Sequence, residues 1–154
     1  MELLLWRHAE AEDGYLDLLR KLTPRGEQQA RQIAEWIKTN APADLRILVS
    51  PATRCQQTTG ALGLPFETDP RLGTSAGVAD LLAAAGWPGD DLTKPKAALL
   101  VGHQPTLGQL VSKLAPTPET DRPFEKGALW WLAFDPSLGK AEMALRVALS
   151  PNAP

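Results

Sequence analysis

The chain has 154 residues, of which 44% are hydrophobic and 22% charged, a size and composition that suit one globular domain over residues 1–154 rather than two. A formal net charge of -2 excludes an overall basic field of the kind that reads nucleic-acid phosphates, so anion chemistry must come from local arginines. A single cysteine, Cys55, excludes an internal disulfide framework, and with only His8 and His103 beside it there is no Cys/His zinc pattern.

The N-terminal run ends at Arg7 with neither a basic leader nor a small-residue cleavage site, and no segment approaches the roughly 18 apolar residues of a membrane span. A cytoplasmic protein with no membrane partner is expected.

Glu2 to Trp6 is a short apolar run closed by charge, the pattern of a strand buried on both faces. Thr23 and Pro24 then supply an N-cap and a first helical position, and the stripe Ala30, Ile33, Ala34, Ile37 predicts an amphipathic helix ending at Thr39–Pro42. Ile47–Val49 is a second strand, followed by Ser50 as cap and Pro51 opening a helix over Ala52–Leu62. Phe66–Thr68 reads as a third strand. Ser75 is placed as the cap of a helix carrying Val78, Leu81, Leu82 and Ala85, stopped at Gly86–Gly89.

Ala97–Val101 is the next buried strand and Pro105–Leu114 the next helix. Ala128–Phe134 and Ala141–Leu149 are strand-like runs around Asp135–Lys140, which predicts a hairpin. Ala115–Pro123, rich in Pro and Thr, is a surface loop. The alternation of strands and helices followed by two strands implies an α/β three-layer sandwich: a mostly parallel sheet, helices on both faces, an antiparallel edge.

The unusual residues gather at strand ends. Arg7 and His8 follow the first strand, Arg54 lies four residues past Ser50, and Gly102–His103 follows the later strand. In open α/β sheets ligands bind outside those carboxyl ends. Two guanidinium forks and a helix start suit phosphoryl oxygens. A neutral imidazole in line with phosphorus can attack it, while a second, protonated one can donate to the equatorial oxygens.

These residues resemble the histidine phosphatase superfamily. Leu5-Trp6-Arg7-His8-Ala9-Glu10 is similar to its Arg-His-Gly motif after the first strand, and Leu22-Thr23-Pro24-Arg25-Gly26 continues the likeness. Ser50-Pro51-Ala52-Thr53-Arg54-Cys55-Gln56-Gln57-Thr58 looks like the family's S-P-x-x-R-A-x-Q-T, and Val101-Gly102-His103-Gln104-Pro105 like its V-G-H-x-P. The short length points within the superfamily to SixA-type phosphohistidine phosphatases, which lack the cap insertions of larger members. The resemblance implies a phosphoglycerate mutase-like fold, His8 as nucleophile, Arg7 and Arg54 on the phosphoryl oxygens, His103 completing the pocket and Arg20 bordering it. It implies no metal or other cofactor.

Two departures carry information. Ala9 stands where the motif has glycine. Larger members carry a carboxylic general acid after the third strand, whereas Pro70–Ala76 holds no carboxylate. An alkoxide leaving group needs a proton, and general acid help is worth roughly 10²–10⁴-fold. An imidazole protonated on its distal nitrogen departs neutral, with a conjugate-acid pKa of about 6.5.

The expected activity is therefore hydrolysis of phosphohistidine on a partner protein of the histidine-phosphotransfer type. The rival is a phosphatase for small phosphate esters, with Glu10, Glu12 or Asp13 as its acid; a second is a phosphate- or phosphoprotein-binding module without turnover. Cys55 is expected to be packed rather than nucleophilic. Trp130 and Trp131 should face opposite sides of one strand.

Overall fold

The computed structural model describes residues 1–87, 89, 96–117, 123–135, 137 and 143–151. Its strands are β1 (Glu2–Arg7), β2 (Arg46–Val49), β3 (Glu67–Thr68), β4 (Ala97–Gly102), β5 (Leu129–Phe134) and β6 (Met143–Leu149). The helices are α1 (Pro24–Asn40), α2 (Thr53–Gly60), α3 (Val78–Ala85) and α4 (Thr106–Leu114). They follow the expected order. The middle of the predicted Ala115–Pro123 loop and most of the connection between β5 and β6 lie outside the described residues.

One six-stranded sheet runs β3-β2-β4-β1-β5-β6. The first four are parallel to one another, whereas β5 pairs antiparallel with β1 and with β6, which is the expected antiparallel edge. Strand periodicity of two divides the central strands between two cores. Leu3, Leu5, Ala98, Leu100, Trp130 and Leu132 face one side with Leu81 of α3 and Leu107, Leu110 and Val111 of α4. Leu4, Trp6, Leu99, Val101 and Leu129 face the other with Ala30, Ile33, Ala34 and Ile37 of α1 and Cys55 of α2. The continuous apolar runs are thus strands covered on both faces, which is why they show no alternation in the sequence.

Trp130 stacks on Phe124 with ring centroids 4.9 Å apart, and Trp131, on the opposite face, meets Trp36 edge-on at 6.1 Å. Each tryptophan covers a sheet face, so the pair acts as packing.

Thr23 caps α1 as expected: its Oγ1 accepts from the Gly26 amide at 2.9 Å, with Pro24 in the first turn. Two expected caps are corrected. α2 begins at Thr53 with Ala52 at the cap position, and α3 begins at Val78 with Gly77 there, so neither Ser50 nor Ser75 is an N-cap. Asp80 accepts from the Gly77 amide at 2.9 Å instead. Ser50 is drawn away by a histidine, as described below.

The start of α1 sits directly on the turn that follows β1. Thr23 N–H donates to Glu10 O at 3.0 Å, and a Cβ on Gly26 would lie 2.0 Å from that same carbonyl oxygen. Only a residue without a side chain lets the helix approach so closely. In an ordinary helix Gly→Ala stabilises by about 0.5–1 kcal/mol. Here Gly26→Ala is expected to destabilise by about 1–3 kcal/mol through overpacking, read as a lower denaturant midpoint at unchanged slope.

Candidate active site

β1 and β4 pair in parallel with Arg7 opposite Gly102, so the two chains leave the sheet side by side. His8 N–H donates to Gly102 O at 3.2 Å. The imidazoles of His8 and His103 consequently face each other with centroids 5.4 Å apart and planes inclined by 57°. On the other side of β4, Val49 of β2 is level with Val101, and Ser50 N–H donates to Val101 O at 3.0 Å. Ser50 and the first turn of α2 are thereby set beside the histidines.

The hydrogen bonds assign both imidazole tautomers. His8 Nδ1 lies 2.8 Å from Ala9 O. A carbonyl only accepts, so Nδ1 carries the proton and Nε2 keeps its lone pair. Arg54 Nη2 lies 3.5 Å from His103 Nδ1, and a guanidinium only donates. His103 Nδ1 is therefore the acceptor, and Nε2–H donates to Ser50 Oγ at 2.8 Å. Ser50 Oγ accepts a second bond from Ala52 N–H at 3.2 Å.

Burial lowers His8 to about 3, opposed by its bond to Ala9 O and helped by the cost of a second charge beside His103 and by Arg54 and Arg7. Burial, then Arg54, lowers His103 to about 4. Both rings are neutral in the free pocket. In that state desolvation beside arginines disfavours a third positive charge.

Arg54 is only 4% exposed. Its Nη1 donates to Asp17 O at 2.7 Å and its Nη2 pairs with Asp17 Oδ2 at 3.2 Å. Arg20 Nε donates to Asp17 Oδ1 at 3.0 Å, and Arg7 Nη1 donates to Phe124 O at 2.9 Å. Desolvation acts to raise the Asp17 carboxyl, but Arg54 and Arg20 hold it below its ordinary value, so it is ionised. The Nε atoms of Arg7 and Arg54 are buried with no hydrogen-bond partner.

Arg7, His8, Arg20, Arg54 and His103, the five residues singled out in the sequence, all line one open cavity of about 270 Å³. Asp17, Thr74, Gln104 and Lys126 line it too. Glu10, Glu12 and Asp13 do not: Glu10 accepts from Thr23 Oγ1 at 3.0 Å, and the Glu12 carbonyl holds Arg20 Nη1 at 3.2 Å. The lining holds four cations, Arg7, Arg20, Arg54 and Lys126, against one carboxylate, a setting for a phosphoryl dianion.

Sequence reading missed Asp17, Ser50 and Lys126. Asp17 sits three residues before Arg20, a spacing that lets the pair meet on one turn and so was a readable signal. Lys126 reaches the pocket from the segment before β5, where no local pattern marks it. That segment also braces the motif: Gly127 N–H donates to Arg7 O and His8 O at 3.1 and 3.0 Å, and Gly127 O accepts from Trp6 Nε1 at 3.0 Å. Gly127 has φ of 78°, a left-handed conformation natural to glycine.

Cys55 is fully buried, with Sγ 3.6 Å from His103 Nε2 and 3.8 Å from Gly102 O. Burial pushes its thiol up to about 12, which agrees with a packing role. Ala9 is fully buried in the core with Trp6 and Leu22, and its N–H donates to Thr58 Oγ1 at 3.0 Å, so the methyl in place of the motif glycine fills space. Among the described residues no cluster of three or more His, Cys, Asp or Glu side chains could hold a metal ion, and no helix is long and apolar enough to cross a membrane.

Comparison with known proteins agrees with this geometry. Residues 3–78 match the histidine phosphatase superfamily, branch 1. The phosphohistidine phosphatase SixA of Escherichia coli K12 is 33% identical over 146 residues, covering 89% of this chain and 88% of that protein. The structure of the protein histidine phosphatase SixA complexed with tungstate superimposes with a TM-score of 0.77 at 30% identity, covering 98% of this chain and 97% of that one. An uncharacterised protein of Mycobacterium tuberculosis is 36% identical over 120 residues, 75% of this chain and 73% of its own length. The two neighbouring strand ends with their paired histidines, the phosphoryl-sized cationic pocket and these likenesses place the chain in the histidine phosphatase superfamily, in its SixA-type group.

Proposed function

We propose that the protein is a phosphohistidine phosphatase that works through a covalent intermediate on His8. The observation that carries the reading is Asp17, the one carboxylate among the described residues that line the pocket: it is held ionised by Arg54 and Arg20, so the described site offers a nucleophile and cations but no carboxylic acid proton. Asp17 comes from the segment before α1, not from Pro70–Ala76, where larger members carry their acid. Such a site suits a leaving group that needs no proton.

In the first step the Nε2 lone pair of His8 forms a bond to phosphorus as the substrate's P–N bond breaks. The bonding pair returns to the leaving imidazole, which keeps the proton on its distal nitrogen and departs neutral. Phosphorylated His8 retains its proton on Nδ1, where Ala9 O accepts it. In the second step water attacks phosphorus, the P–Nε2 pair returns to His8, and both water protons leave with inorganic phosphate. The guanidiniums of Arg7 and Arg54, with their unpartnered Nε donors, hold the equatorial oxygens through both steps. His103 contacts the same group, and the dianion raises its proton affinity above that of the free pocket.

The phosphoryl donor is a protein of the histidine-phosphotransfer type; the names of the SixA relatives, a phosphohistidine phosphatase and a protein histidine phosphatase, support phosphohistidine as the bond cleaved.

Kinetics and NMR test this. His8→Ala is expected to lose at least about a thousandfold in turnover and all acid-labile phospho-enzyme, and Arg54→Ala about 10²–10³-fold in kcat, both measured with a labelled phosphohistidine protein. Wild-type kcat/KM should be higher on that protein than on serine, sugar or glycerate phosphates; a reversed order points to the ester phosphatase. By NMR, neither histidine ring is expected to titrate between pH 5 and 8 in the free protein, because both are shifted down to about 3 and 4. Adding inorganic phosphate should move the His103 titration upward, since a bound anion favours the charged ring.

A further inference from the structure

The segment between β1 and α1 exposes its largest apolar side chains. Tyr15 is 106% exposed, Leu16 67%, Leu18 51% and Leu19 61%. Four such residues in a span of five form a contiguous apolar patch, which on a soluble protein marks an interaction site. Its position is decisive. Asp17, in the middle of the run, and Arg20, directly after it, both line the phosphoryl pocket.

The run is also held in place. Asp17–Leu19 forms a 3-10 turn in which Leu19 N–H donates to Leu16 O at 2.9 Å. Arg54, buried in α2, anchors that turn through Asp17 O at 2.7 Å and Asp17 Oδ2 at 3.2 Å. The apolar side chains therefore stand at a set place on the pocket rim.

We propose that Tyr15, Leu16, Leu18 and Leu19 form the docking surface for a phosphohistidine-bearing protein, seating it while its phosphorylated ring enters the pocket. This rests on the phosphohistidine reading above. A cavity of about 270 Å³ holds a phosphoryl group and one ring, so the remainder of any macromolecular donor must lie outside, against this rim. A small phosphate ester would be consumed inside the cavity and leave all four side chains in water. The only charge within residues 15–19, Asp17, is turned to Arg54 and Arg20, so what this run offers a partner is apolar contact. The complementary face is an apolar or small-residue surface around the phosphohistidine, as on one side of a helix.

The test compares two phosphoryl donors on the triple variant Tyr15→Ser/Leu16→Ser/Leu19→Ser, whose changes lie at exposed positions and spare Asp17. The donors are a histidine-phosphotransfer domain phosphorylated with phosphoramidate, and free phosphohistidine. The expected result is a rise in KM of tenfold or more on the domain, with kcat/KM on free phosphohistidine unchanged within twofold. Equal loss on both donors, or no change on the domain, overturns the docking surface while leaving the phosphatase reading intact. Concentration-dependent dimerisation of the wild type that the variant abolishes, by sedimentation, would assign the patch to a second copy instead. Wild type inactive on both donors yet active on phosphate esters overturns the phosphohistidine reading and this surface with it.

Discussion

The in-register parallel pairing of β1 with β4 is the constraint on which the site depends. Because Arg7 stands opposite Gly102, the residues that follow each strand emerge together, and His8 reaches His103 from a sequence distance of 95 positions. A slip of one residue would reverse which side chains face which core, exchanging the Leu3/Leu5 face for the Leu4/Trp6 face. Burial of both faces thus enforces the register, and the register sets the distance between the rings. The hydrophobic core and the chemistry are fixed by one arrangement of hydrogen bonds.

From that arrangement follows an electrostatic imbalance. Strand ends and the α2 start bring arginines together in a place where burial strips their water, and only the Asp17 carboxylate among the lining residues answers them. Two guanidinium donors remain unpartnered and two imidazoles are driven neutral. The free pocket therefore stores an unmet demand for an anion, and a phosphoryl group meets it. The same burial keeps His8 neutral and leaves a lone pair on its Nε2.

Much of this was legible in the sequence, for reasons that can be named. Short apolar runs closed by charge mark strands covered on both faces, and the residue after such a run must leave the sheet at its carboxyl edge; that places His8 and His103. Thr23-Pro24 reads as a helix start because the cap and the proline act within four residues. Ser50 misled because α2 begins only at Thr53, and its hydroxyl accepts from both the Ala52 amide and His103 Nε2, a tertiary partner the local sequence does not show. Lys126 and the Gly127 brace come from the far end of the chain, and only the completed sheet brings them to β1. The neutrality of His103 in the free pocket was not legible, because solvent exclusion is a property of the assembled pocket.

The burial of Cys55 has an outcome for where such a catalyst can operate. Its thiol is fully enclosed behind His103, and with its acidity suppressed to about 12 it presents almost no thiolate at neutral pH. The residues that line the pocket include neither cysteine nor methionine. A phosphatase built on a thiolate nucleophile climbs the sulfur oxidation ladder when peroxide rises. This pocket has no rung on it, and removal of phosphoryl groups can continue while the redox state of its surroundings changes.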